Sequence, residues 1–156
     1  MLNTIIHGTA TDKPPLLIAH GLYGSARNWG VIAKRLSDER LVVAADMRNH
    51  GQSQWSTSHT YPEMAVDLAA VIAAHGGQMD VLGHSMGGKA AMMLALNHPD
   101  MVSRLLVADI APVAYSHSQI QFIQAMRSVD LTTLERRSDA EAQLAKAGVD
   151  PALQSF

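Results

Sequence analysis

Residues 79–94 read Met79-Asp80-Val81-Leu82-Gly83-His84-Ser85-Met86-Gly87-Gly88-Lys89-Ala90-Ala91-Met92-Met93-Leu94. Met79 to Leu82, apolar apart from Asp80 and bounded by turn residues, predicts a buried strand. Lys89 to Leu96 predicts a helix that starts directly after the glycines. Between them stands Gly83-His84-Ser85-Met86-Gly87. A serine displayed at the end of a sheet needs a very tight strand-to-helix turn, and glycines two residues to either side let the neighbouring backbones close in. The following helix aims N–H groups and the positive end of its dipole at the same spot. The bare pattern arises by chance in roughly one chain in twenty of this size. A strand before it and a helix after it are what the turn requires, so context favours Ser85 as a nucleophile.

Working outward, strands and helices alternate. Leu16 to Ala19 reads as a buried strand running into His20-Gly21, and Asn28 to Leu36 places Trp29, Ile32, Ala33 and Leu36 at helical spacing. Leu41 to Ala45 suits a central strand, followed by a polar loop over residues 48–59. Pro62 opens a helix that carries Met64, Val66, Leu68, Val71 and Ile72, and Gly76-Gly77 stop it. His98-Pro99 ends the helix after Ser85, and Leu105 to Ala108 is a fourth strand ending at Asp109. The alternation predicts an α/β fold with a mostly parallel, doubly wound sheet. Beyond Pro112 the strands cease. Two polar helical stretches, roughly residues 116–129 and 134–147, predict a helical insertion over the sheet, dividing the chain into a core at 1–112 and the start of a cap at 113–156.

Composition sets the class. The chain has 156 residues, 47% hydrophobic and 17% charged, enough for one globular domain with a real core. A net charge of −2 with scattered basic residues gives no footprint for nucleic acid or an anionic membrane. With no cysteine, disulfides and thiolate metal sites are excluded. Met1-Leu2-Asn3-Thr4 has no basic segment leading into an apolar run, and no apolar stretch is long enough to cross a bilayer. The expectation is a cytoplasmic protein that needs no cofactor and no metal. Gly83 to Gly88 lacks the spacing of a phosphate-binding loop.

A second signal is His20-Gly21-Leu22-Tyr23-Gly24. A glycine-bearing loop after the neighbouring strand is where a second oxyanion donor is expected, and the backbone amides of Leu22 and Met86 are the candidates. His20 reads as a structural residue of its loop. In Asp46-Met47-Arg48-Asn49-His50-Gly51-Gln52-Ser53, Asp46 and Arg48 are expected to pair and shape a scaffold loop beside the site.

Three segments together, His20 to Ser25 with Asn28-Trp29, Asp46 to Ser53, and Gly83 to Lys89, resemble the α/β-hydrolase superfamily. Their details are similar to one branch of it, small bacterial esterases and their mitochondrial relatives. Asn49, where most hydrolases carry glycine, and Gly87-Gly88-Lys89 point that way. The likeness runs from about Leu16 to Pro112. It implies Ser85 as the catalytic nucleophile, the Leu22 and Met86 amides as the oxyanion hole, and Asp109 in Val107-Ala108-Asp109-Ile110-Ala111-Pro112 as the catalytic acid. It also implies a substrate that is a small ester or thioester, with Phe122, Ile123 and Met126 as acyl-pocket candidates that serve equally as ordinary helix packing.

The family's catalytic histidine follows the last strand, in the order Ser, acid, His. This sequence ends at Phe156, so the expectation is that the base is missing. His84 is expected to point away from the nucleophile. His50 and His117 are remote substitutes, and His7, His59, His75 and His98 sit at loops or helix ends. A sheet ending at the Leu105–Ala108 strand would also expose an apolar edge, which predicts self-association. Three readings stand. The first is a serine hydrolase that cleaves carboxylic esters or acyl thioesters through an acyl-enzyme. The second keeps the fold with other chemistry, such as carbon–carbon bond hydrolysis or perhydrolysis. The third is a catalytically silent module.

Overall fold

The structure, a computed structural model, describes residues 1–116 and 118–154. They fall into two compact units, Met1–Pro112 and Val113–Phe156. The first holds a five-stranded sheet: β1 (Thr4–His7), β2 (Leu16–Ala19), β3 (Val42–Ala45), β4 (Met79–His84) and β5 (Val102–Ala108). Their spatial order is β1-β3-β2-β4-β5. Strands β2 to β5 run parallel, and β1 pairs antiparallel with β3. Ala19 lies level with both Ala45 and Gly83, so the carboxyl ends of the three central strands form one rim.

Both faces of the central strands are covered, which is why they read as unbroken apolar runs rather than as alternating ones. Leu17, Ala19, Val43, Ala45, Met79 and Val81 share one core with the helices α2 (Tyr61–Ala74) and α3 (Met86–Asn97). Leu16, Ile18, Val42, Ala44 and Leu82 face the other way, toward Ala26 and toward Ala33 of α1 (Gly30–Leu36). Successive side chains of a strand point to opposite faces, so these two sets interleave along the same residues.

The connections place the site. From β2 the chain moves outward to β3, crosses back over β2 to β4, and continues on the far side to β5. The reversal falls between β2 and β4, and in an open α/β sheet the crevice for a ligand opens beyond the carboxyl ends at that point.

Strand β1 is not anticipated by the sequence pattern: it is a four-residue edge strand with Ile5 half-buried and Ile6 exposed. The opposite edge is β5, where Leu106 is 60% exposed and Leu105 is also open to solvent. At the amino end of the sheet, Asp80 is buried and is met by Arg40 Nη1 at 2.5 Å and Arg104 Nη2 at 2.7 Å. A buried carboxylate needs such partners, so this pair of arginines is structural.

In the second unit, α4 (Ile120–Arg127) and α5 (Arg137–Lys146) are shorter than the two expected helices, and α6 (Pro151–Gln154) is not anticipated. The reason lies in local capping. Asp130 accepts from Thr132 N–H at 3.0 Å, which fixes a separate short turn at Leu131–Thr133. Asp139 Oδ2 accepts from the amides of Glu135 and Arg136 at 3.0 and 2.9 Å, which delays the start of α5 to Arg137. Among the described residues no helix is long and apolar enough to cross a membrane.

Candidate active site at the carboxyl rim of the sheet

Ser85 is the residue between β4 and α3, with φ 50° and ψ −113°. That backbone costs a non-glycine residue on the order of 1–3 kcal/mol, so it persists only where the surroundings over-determine it. They do so here from both sides. Ser85 N–H donates to the Ala108 carbonyl at 2.9 Å, and Lys89 N–H donates to the Ser85 carbonyl at 3.1 Å. The flanking glycines are required by contact. A Cβ on Gly83 would lie 2.5 Å from the Gly87 carbonyl oxygen, and one on Gly87 would lie 2.3 Å from that of Ala19. The first turn of α3 is thereby seated on the end of β2.

The loop after β2 presses on the same turn. It is closed by Gly24 N–H donating to the Gly21 carbonyl at 3.0 Å, with Tyr23 at φ 64°. A Cβ on Gly21 would come within 2.8 Å of His84 Nδ1 and 3.3 Å of Ser85 Cβ, so loop and elbow are in van der Waals register. The Leu22 and Met86 amides, singled out above, belong to these two touching segments. Among the described residues neither amide has a hydrogen-bond acceptor.

His20 is buried and fixes its own loop. Its Nε2 accepts from Met47 N–H at 2.9 Å, so the ring proton sits on Nδ1 and is donated to the Gly21 carbonyl at 2.7 Å. Burial lowers its pKa to about 4, against the opposing pull of that carbonyl.

The loop after β3 is organised differently from the expected Asp46–Arg48 pair. Asp46 accepts from Ala26 N–H at 2.7 Å, Gln52 N–H at 2.9 Å and Asn3 Nδ2 at 2.8 Å. Burial works to raise its pKa, but these donors outweigh it and hold the carboxylate below its ordinary value. Arg48 turns the other way and pairs with Asp67 of α2 at 2.6 Å. Asn49 has φ 65°, a left-handed conformation that asparagine tolerates better than most residues. Its place in a motif where glycine is common follows from that.

Asp109 follows β5 with φ 57°, its side chain 84% exposed. Its Oδ2 lies 3.5 Å from His84 Nε2, so His84 faces the candidate acid. His50 accepts from Tyr23 N–H, a contact the sequence reading did not anticipate. Phe122, Ile123 and Met126 lie on α4 in the second unit, Phe122 half-buried and the other two exposed. His117 lies outside the described residues.

Comparison with known proteins gives this geometry a family. Residues 14–146 match the family model described as the alpha/beta hydrolase fold. The sn-1-specific diacylglycerol lipase ABHD11 of Danio rerio is 40% identical over 93% of this chain and 49% of its own length. Esterase YbfF of Escherichia coli is 39% identical over 84% of this chain and 52% of its own length. A solved structure, a marine microorganism esterase, superposes with a TM-score of 0.88 at 37% identity, covering 100% of this chain and 62% of that one. The chain therefore belongs to the α/β-hydrolase family, and it spans about half the length of the curated relatives it matches.

His20 carries a pH signature with a definite sign. Its folded value of about 4 lies below the ordinary 6.5, so between those two values the unfolded chain binds more protons. Stability is full above pH 6.5, falls as pH drops toward 4 and levels off below that. The whole effect is on the order of 3 kcal/mol. Denaturant midpoints across this window should slope downward on acidification in the wild type and less steeply in His20→Gln. Equal slopes in the two proteins would contradict the assignment.

Proposed function

We propose that this chain carries the nucleophile half of a serine esterase that acts on carboxylic esters or acyl thioesters. The observation that carries the reading is Ser85 itself. It sits in a disfavoured backbone conformation at the carboxyl end of a central strand, locked by Ala108 and Lys89, with the Gly21 loop against it. Strain held in this way at the reversal point of the sheet positions a hydroxyl where an acyl group can be presented to it.

In this reading the Ser85 Oγ–H bond breaks, its proton passing to solvent water, as Oγ bonds to the substrate's acyl carbon. The carbonyl oxygen takes up negative charge, and the Leu22 and Met86 amides donate to it. The alcohol or thiol leaves with a proton, and water then cleaves the acyl-serine bond to release the acid. Asp109 is the acid that would orient and charge-balance the base. His20 and His50 have both ring nitrogens engaged with backbone groups, and His84 turns Nε2 to Asp109. None of these three is the proton acceptor in our account. Oxyanion stabilisation and binding leave roughly a thousandfold or more over the uncatalysed rate when a triad member is lacking. The names of the relatives, a diacylglycerol lipase and an esterase, support an ester substrate.

The test is intact-mass analysis after incubation with a fluorophosphonate, which traps a nucleophilic serine as a stable phosphonyl ester. A single adduct should form and map to Ser85, and Ser85→Ala should abolish it. Adducts scattered over other residues, or unchanged in Ser85→Ala, would contradict the reading.

A second proposal concerns association. Among the described residues β5 is an edge strand with exposed Leu105 and Leu106, and a second copy of the chain is the occupant we assign to that edge. Light scattering should show the mass rising with concentration, and less so in Leu106→Lys. A monodisperse monomer at high concentration would contradict it.

A further inference from the structure

We propose that His50 is a positioning residue for the oxyanion loop, acting through the Tyr23 amide. The inference rests on the reading of Leu22 as an oxyanion donor. Its starting point is a tautomer that the backbone fixes. His50 Nδ1 lies 2.9 Å from the Arg48 carbonyl, which can only accept, so Nδ1 carries the proton. Nε2 is then a bare lone pair, and Tyr23 N–H donates to it at 3.1 Å.

What that bond holds is a residue with reason to move. Tyr23 has φ 64°, a region that a bulky side chain leaves unless something retains it. The peptide that carries the Tyr23 amide hydrogen also carries the Leu22 carbonyl, so its orientation sets ψ of Leu22. Leu22 N–H is the adjacent group. If Tyr23 relaxes from φ 64°, the turn closed by Gly24 N–H on the Gly21 carbonyl opens, and Leu22, which lies inside that turn, shifts with it while the sheet stays in place. His50 therefore restrains the turn that carries a candidate oxyanion donor. The restraint is itself anchored, because the His50 ring packs edge-on against His20 at 5.2 Å between centroids, and His20 holds Met47 and Gly21. On the far side His59 lies at 5.7 Å.

Protonation removes the acceptor. An imidazolium has no lone pair, so the Tyr23 N–H bond is lost when His50 takes a second proton. The titratable and charged groups around it are His20 and His59 on its two faces, Arg48 in its own loop, and the carboxylates Asp46 and Glu63 behind those neighbours. The oxyanion loop should thus loosen on acidification by a local event separate from global unfolding.

The test uses the full chain, labelled with ¹⁵N. The Tyr23 amide should be protected from exchange and shifted downfield at mildly alkaline pH. Both features should be lost in step with the ring-nitrogen signal of His50 as it protonates. His50→Phe, which keeps a packed ring and loses the acceptor, should lose them at every pH. His50→Gln, which returns an acceptor, should restore them in part. In the same proteins the rate of fluorophosphonate capture by Ser85 should fall about tenfold or more in His50→Phe and recover in His50→Gln, short of the hundredfold or greater loss expected for removing a donor outright. A Tyr23 amide indifferent to His50 protonation overturns the proposal. So does an amide that responds while capture stays unchanged. If Ser85 is not captured in the wild type at all, the nucleophile reading falls, and the Tyr23 amide alone still decides whether His50 holds the loop. If His50→Phe does not fold, the wild-type titration decides by itself.

Discussion

The contact on which the rest depends is the seating of Gly87 against the carboxyl end of β2, where no side-chain carbon fits between it and the Ala19 carbonyl. It fixes the amino end of α3 relative to β2, and therefore the Met86 amide relative to the loop that carries Leu22. With α3 held there, the chain leaving β4 must turn within one residue. That residue is Ser85, whose unusual φ and ψ are the consequence. A larger residue at Gly87 would push α3 off the end of β2 and move the Met86 amide with it. The strain at Ser85 and the seating of α3 are one geometric fact seen from two residues.

The loop after β3 extends that fact outward. Asp46 ties it to the start of α1's approach through Ala26 and to the N-terminus through Asn3. Met47 and His50 tie it to the Gly21 loop. A segment without catalytic chemistry of its own thus sets the conformation of one that carries a donor. Buried groups with fixed protonation do this well. His20 stays neutral because burial disfavours its charge, and Asp46 stays ionised because three donors outweigh burial.

The elbow and the four parallel strands were legible in the sequence because each depends on local pattern. Leu16 to Ala19 is apolar on both faces, Met79, Val81 and Leu82 are apolar around Asp80, and Gly83-His84-Ser85-Met86-Gly87 is punctuated by the glycines its turn needs. Strand β1 was not legible, since Ile5 and Ile6 are too few to show a period and an edge strand buries little. Arg48 was read as the partner of Asp46 because the two are neighbours in the chain, whereas its partner Asp67 comes from a helix packed alongside. The direction of His84 toward Asp109 and the grip of His50 on Tyr23 depend on where separate loops meet. No spacing within one segment encodes such meetings. Asn49 is intermediate: its identity was noticed as unusual, and its φ of 65° supplies the reason.

The most direct test of the central claim, that the elbow and the Gly21 loop form one preorganised oxyanion site, is a crystal structure of the chain phosphonylated on Ser85. The account predicts that Ser85 keeps its positive φ and that the phosphonyl oxygen lies about 2.7–3.1 Å from both the Leu22 and the Met86 amide nitrogens. A phosphonyl oxygen turned to solvent, or a Ser85 relaxed to negative φ with the Gly21 loop withdrawn, would contradict it.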